Sequence, residues 1–307
     1  MTGAIRAVLP GGRWHFQHGP IDLVISAEGE ASALAAAHAE AWARFQPLLA
    51  ELVAELPVLR LPVTAHSPLQ GMTARCMAAA SWPLVAAADG FITPMAAVAG
   101  AVAQSVIAAY QREGVRRAWV NNGGDIALHL SPGTQASVGL VADISQLDLT
   151  RLFAPDATLQ GTDASFTLQA ADPVRGVATS GWRGRSLSRG IADSVTVLAA
   201  TAAMADAAAT VIANAVNVVH PAITRQPAHQ VRDDSDLGER LVTVDVPRLP
   251  CASVQAALQA GWRCAQSLQI QGLIFAALLT CQGAFLRLVP ADPKSIICRS
   301  EEHGVIA

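Results

Sequence analysis

One carboxylate and one hydroxyl stand four residues apart in an apolar run: Asp206 and Thr210, within ADSVTVLAATAAMADAAATVIANAV (Ala192–Val216). Four residues is one helical turn, so the two side chains share a face. A carboxylate among apolar residues needs a partner charge, a metal or several hydrogen-bond donors. No lysine or arginine lies between Ile191 and Ile223, which makes a hard cation with oxygen ligands a candidate partner. The plainer alternative has Asp206 facing solvent or capping a neighbouring loop, with Thr210 bonded back to a helix carbonyl.

Two glycine-containing turns offer anion chemistry. In NNGGD (Asn121, Asn122, Gly123, Gly124, Asp125), paired glycines permit positive φ and let a ligand approach backbone N–H groups. Asn-Gly is equally a preferred hairpin turn. Thr179-Ser180-Gly181 presents hydroxyls and an amide that suit a phosphate, with Arg183, Arg185 and Arg189 nearby as charge partners. The alternative there is a solvated loop with its arginines in water. Ser180 is outside any G-x-S-x-G elbow, which argues against a serine nucleophile. The histidines (15, 18, 38, 66, 129, 220, 229 and 303) show no H-x-x-x-H spacing, so the pattern is not that of a zinc site. His18 and His220 precede turns and remain candidates for an acid–base role, as does Asp125.

The elements that must position these groups alternate between β-branched strands and alanine-rich helices. Ser194–Leu198 reads as a buried strand and the alanines after it as a helix. Upstream, Phe91–Gly114 reads as a second small-residue helix, with Thr93 as N-cap, Pro94 at the first position and Gly114 as the stop. Strands follow at Arg117–Asn121 and Ile126–Leu130. Trp14–Gln17 and Ile21–Ser26 form a hairpin through His18-Gly19-Pro20. Glu30–Leu56 has helical periodicity, bent or split at Pro47. Leu59–Thr64 is a short strand or extended linker, and Leu69–Ala80 another helix. Further strands are expected at Val138–Val141, Ser165–Gln169, Val177–Ala178 and Leu241–Val246, and a helix at Ser253–Gln269. Asn217–Arg240 reads as loop, with an acidic run at Asp233, Asp234 and Asp236. A closing hairpin covers Gly272–Thr280 and Ala284–Val289, and the tail from Pro290 reads as loose. Met95–Ala109 and Thr201–Ala215 echo one another half a chain apart, which hints at a duplicated unit.

Composition narrows the class. The chain has 307 residues, 52% of them apolar and 15% charged, with net charge −3, which fits a core-rich globular protein. There is no basic run, so nucleic acid is not an expected partner. Lys294 is the single lysine, which argues against a Schiff base or a Walker-type phosphate loop. The five cysteines have no C-x-x-C pairing and fit reduced, packed thiols. No signal peptide or membrane span is evident, so a cytoplasmic location is expected. An exposed apolar face, and with it a homodimer, fits such a composition.

VNNGGDI, ATSG and SVTV…ADAAAT occur in that order, and this trio resembles the ApbE superfamily, whose characterised members are Mg²⁺-dependent FAD:protein FMN transferases. HGPIDL, ITPMAAVAGAVA and DSDLG extend the likeness over nearly the whole chain, to a shorter ApbE-like subgroup. The resemblance implies an α+β fold, a duplicated T-fold of antiparallel sheet packed with helices. It also implies a single domain over 1–307, with lobes at about 1–130 and 131–307 and the site between them. By the same resemblance Asp206 and Thr210 match magnesium ligands, joined by a backbone carbonyl near Ala99. Thr93, Asn121–Asp125 and Thr179–Gly181 fall beside a nucleotide, FAD or FMN. An acceptor protein is implied for the transferase reading. The chain departs from the family at two places: no histidine lies between TSG and the SVTV strand, and AAVAGA (Ala96–Ala101) stands where the family has a lysine-containing glycine turn. Two other readings stand beside it: a non-catalytic flavin, pterin or purine carrier, and a different small-molecule enzyme on the same scaffold.

Overall fold

A computed structural model describes residues 3–140, 164–184, 186–289 and 297–299. Its centre is a nine-stranded sheet in which every pairing is antiparallel. The strands are β1 (Ile5–Leu9), β2 (Arg13–His18), β3 (Ile21–Gly29), β4 (Val115–Asn122), β5 (Asp125–Leu130), β8 (Gly176–Ser180), β9 (Ser194–Ala199), β12 (Ala276–Cys281) and β13 (Ala284–Leu288), in that spatial order. Two patterns of the same kind are visible in it. The strands β2 and β3 lead into helices α1 (Ala31–Ala54), α2 (Met72–Ser81) and α3 (Val98–Ile107), then return as β4 and β5. The strands β8 and β9 lead into α4 (Ala202–Ala215) and α5 (Cys251–Ile270), then return as β12 and β13. The echo between the two small-residue helices thus has a topological counterpart, and the class is α+β.

Strand alternation divides the core into two layers. Ala127, Ala178, Val195 and Val197 face the helices and join the larger apolar cluster. Leu128, Val177 and Leu198 face the other way, against Val138, Phe166 and Leu168 of a smaller sheet. That sheet is β6 (Gln135–Leu140), β7 (Ala164–Gln169) and β14 (Ile297–Arg299). With both faces covered, all six residues of β9 are buried, which accounts for its mostly apolar and β-branched composition.

Several expectations need correcting. Helix α1 passes Pro47 without a split. Arg44 and Glu51 bracket the proline with two parallel hydrogen bonds of 2.9 and 2.8 Å. Asn217–Arg240 is not all loop: β10 (Thr224–Pro227) pairs with β11 (Leu241–Asp245), and Ala228–Val231 forms a helical turn. Ile297–Arg299, in the tail expected to be loose, pairs with β7. Of the two alternatives for Leu59–Thr64, the strand is absent and the linker holds beyond the helical turn that ends at Leu59, with Val63 donating its N–H to Ile92 O at 2.9 Å. Arg185 and Lys294 lie outside the described residues, as do Val141 and most of the tail. Cys76, Cys251, Cys264 and Cys281 are free thiols. No described helix is long and apolar enough to cross a membrane.

Candidate functional site

The expected helix over Phe91–Gly114 is broken at Ala97. A 3-10 turn spans Pro94–Ala97, Ala97 leaves helical geometry (φ −117°, ψ 11°), and α3 begins afresh at Val98. Thr93 does precede Pro94, but its hydroxyl caps nothing there; it donates to the Asp236 carboxylate. A new helix start leaves backbone N–H groups without intrahelical partners, and alanine has no side-chain acceptor to satisfy them.

Asp206 supplies that acceptor from α4. Gly100 donates its N–H to Asp206 Oδ2 at 2.9 Å, and the Ala99 N–H also bonds the carboxylate. The approach is close because residue 100 is glycine: a Cβ there would lie 2.2 Å from Ala202 O and 2.9 Å from Asp206 Cβ. Capping of a neighbouring segment, one of the alternatives for Asp206, is therefore part of what it does.

The other motifs converge on the same helix start. Asn122 is buried and donates its amide to Ala99 O at 3.1 Å. Asp125 is also buried, and its Oδ1 accepts the Thr179 N–H at 3.2 Å. Burial, followed by the Asp125 charge, pushes the Asp206 carboxyl well above its ordinary value; the Gly100 and Ala99 N–H bonds pull it down less strongly. Because the Asp125 carboxylate raises the cost of ionising Asp206, positive charge is favourable beside them.

Thr93, Ala99, Asp125, Asp206 and Thr210 line one cavity of about 580 Å³. The remaining candidates do not line it. Asn121 Oδ1 accepts the Gly124 N–H at 2.8 Å and closes the β4–β5 hairpin, whose glycines have φ of 64° and 116°. The hairpin reading of NNGGD therefore holds for its first half, while Asp125 serves the cavity. Thr179 Oγ1 bonds Thr196 Oγ1 at 2.8 Å between β8 and β9; Ser180 ends β8 and Gly181 follows it. Among the arginines, Arg189 lines the cavity. Arg183 instead stacks on Trp182 and lies 3.9 Å from Asp193.

Sequence reasoning gave no site role to four contributors. Asn214 extends the Asp206–Thr210 face by another turn and lines the cavity; the four-residue spacing was a visible signal. Asp234 and Asp236 come from the supposed loop and reach back to Arg60 (3.3 Å) and Thr93. Arg60 had no local signal. No three His, Cys, Asp or Glu side chains converge among the described residues. The hard donors at the helix end are two carboxylates, the Thr210 hydroxyl and the Ala99 carbonyl. That set lacks nitrogen and sulfur and fits Mg²⁺, which keeps several waters or phosphate oxygens and needs only one or two carboxylates.

Fold and site define an α+β protein of two ββ-helix-ββ units with an acid-lined cavity at the junction of two small-residue helices. A family model described as AbpE bacteria matches residues 6–287, and the chain belongs to that family. Three archaeal relatives are each called UPF0280 protein. The one from Methanothermobacter thermautotrophicus is 42% identical over 127 residues, covering 41% of this chain and 43% of its own. That from Methanospirillum hungatei is 31% identical, covering 56% and 64%. That from Methanosphaerula palustris is 33% identical over 206 residues, covering 66% and 77%. The matches thus span less than two thirds of the first two relatives. Solved structures similar to this chain include the apo flavinyl transferase ApbE of Pseudomonas stutzeri, with 16% identity, coverage of 94% and 95% and TM-score 0.45. The flavin transferase ApbE of Vibrio cholerae gives 12% identity, coverage of 96% and 100% and TM-score 0.46. Likenesses this loose transfer no residue role.

Proposed function

We propose that this protein binds a flavin or related nucleotide together with Mg²⁺ in the cavity between α3 and α4. The observation that supports it is the meeting of Asp125, Asp206, Thr210 and Ala99 at one wall of a cavity large enough for a nucleotide. Asp206 and Thr210 would hold the cation, with Ala99 O beside them and Asp125 adding charge. Bound there, Mg²⁺ would offset phosphate charge and polarise the phosphoryl group. The chain's own residues would do the rest. Asp206 fixes the start of α3, Asn122 fixes the Ala99 carbonyl, and Met95, Ala96 and Val98 give the cavity apolar wall. We read the chain as one domain with lobes at about 1–130 and 131–307.

Binding is favoured over FMN transfer by one feature of the lining. Among the described residues the cavity wall contains no histidine, lysine or cysteine, so groups suited to proton transfer near neutral pH are confined to carboxyls. A carrier of flavin, pterin or purine is the second reading. Titration of the protein with FAD, FMN and riboflavin, with and without Mg²⁺ and with AMP release followed, tests both. Mg²⁺-dependent FAD binding that disappears in Asp206→Ala is expected, without AMP release. Release of AMP at a rate above buffer would establish transfer chemistry. Unchanged Mg²⁺ dependence in Asp206→Ala would sink the site assignment.

A further inference from the structure

The polar stripe of α4 does not end at Thr210. Asp206, Thr210 and Asn214 follow one another at single-turn intervals, and all three line the cavity. Asp206 holds the start of α3, whereas Asn214 holds a different segment. Its Oδ1 accepts the Arg189 N–H at 2.8 Å and the Ser188 hydroxyl at 3.1 Å. Asn217 Nδ2 donates to Arg189 O at 3.3 Å, and Thr243 N–H to Ser188 O at 2.7 Å. Gly190 lets this segment lie directly on the helix, since a Cβ there would stand 2.0 Å from Ala213 O. The backbone of Arg189 is thus clamped on both sides.

Its guanidinium is not. Among the described residues it makes no hydrogen bond, and its one ion pair is with Asp89 Oδ2 at 4.0 Å. Asp89 is 86% exposed, so water screens that attraction. A guanidinium carries five N–H donors in a planar fork that matches phosphate and carboxylate oxygens. A rigid backbone, a guanidinium held by one water-screened ion pair and a place on the cavity wall together describe an anion subsite. The backbone that carries the guanidinium is anchored at Asn214, eight residues, about 12 Å, along α4 from Asp206. Of the arginines beyond the TSG turn, Arg183 is committed to Trp182 and Asp193.

We infer that Arg189 is an anion-recognition residue of the cavity, taking a phosphate-type oxyanion of the ligand at the end remote from Asp206. This rests on reading the cavity as a ligand site, but not on the ligand being a flavin or on Mg²⁺. The test is calorimetric titration of the full chain with inorganic pyrophosphate in EDTA at low ionic strength. Wild type, Arg189→Ala and Arg189→Lys are compared, with unfolding midpoints measured alongside. Arg189→Ala should weaken pyrophosphate binding about tenfold or more, as expected for loss of charge-assisted hydrogen bonds. Arg189→Lys should recover part of the affinity, and the midpoints should coincide because the guanidinium holds nothing in the fold. Equal affinity in wild type and Arg189→Ala overturns the inference, as does a wild type that does not bind pyrophosphate. Arg189-dependent pyrophosphate binding in a protein that ignores flavin nucleotides would uphold the anion subsite while removing the flavin reading.

Discussion

Gly100→Ala sets two effects of opposite sign against each other. Glycine to alanine inside a helix ordinarily stabilises by about 1 kcal/mol, through the cost of ordering glycine. Here the new Cβ would lie 2.2 Å from Ala202 O, where ordinary contacts begin near 3.4 Å. Relieving the overlap means moving α3 and α4 apart by about an ångström, and overpacking of that kind costs about 1–3 kcal/mol. The same movement draws Asp206 Oδ2 away from the Gly100 N–H it meets at 2.9 Å. A charge-assisted hydrogen bond contributes about 1.5–3 kcal/mol. Subtracting the propensity gain leaves a net destabilisation of about 1.5–5 kcal/mol. Urea unfolding followed by circular dichroism and tryptophan fluorescence would read this as a lower midpoint at unchanged slope. Combining the variant with Asp206→Asn should give less than the sum of the single effects, since both act on one contact. A midpoint that rises in Gly100→Ala would mean that helix propensity outweighs the α3–α4 contact, and the account of the site would fall with it.

Three further outcomes are expected. The Asp206 carboxyl is held above its ordinary value of 3.8, so the folded state retains a proton that the unfolded state has released. Stability should therefore fall as pH rises from about that value through the raised one, and Asp206→Asn should flatten this segment of the pH–stability curve; parallel curves would contradict it. Arg44 ties α1 to its neighbours through Ser105 Oγ at 2.8 Å and Thr73 Oγ1 at 3.0 Å while pairing with Glu51 along α1 itself, so Arg44→Ala should lower stability by about 2–3 kcal/mol. A loss no greater than that of an exposed arginine, measured by urea unfolding, would show the network to be idle. Thr93→Val removes the hydroxyl that meets Asp236 and should speed proteolytic cleavage within 232–239, with no such change in Thr134→Val.

The strands and the two small-residue helices were legible because their periodicity and β-branched content are local properties. The break at Ala97 was not. Met95–Ala109 reads as one helix by propensity, and only tertiary contact with Asp206 and Asn122 makes a second start at Val98 favourable. The same reason hid the role of Thr93. Its position before proline was read correctly, but its hydroxyl partner is 143 residues away. In the candidate site Asp206, Thr210 and Asp125 could be singled out because polar groups in apolar runs stand out. Asp236 stood out only as part of an acidic run and of DSDLG, with no role attached to it, and nothing in the local sequence of Arg60 marks it.

The contact that organises the cavity joins residues 106 positions apart. Helix α3 has no cap within its own sequence, and the β5–β8 seam joining the two units is only two residue pairs long. Closing a loop of that length is an entropic cost met before the contact returns anything. Each unit can build its hairpins from near neighbours, whereas the cavity exists only once the halves have docked. In kinetic terms the cavity is expected to form late in folding, so that any ligand occupying it would reward the final step and not the early ones.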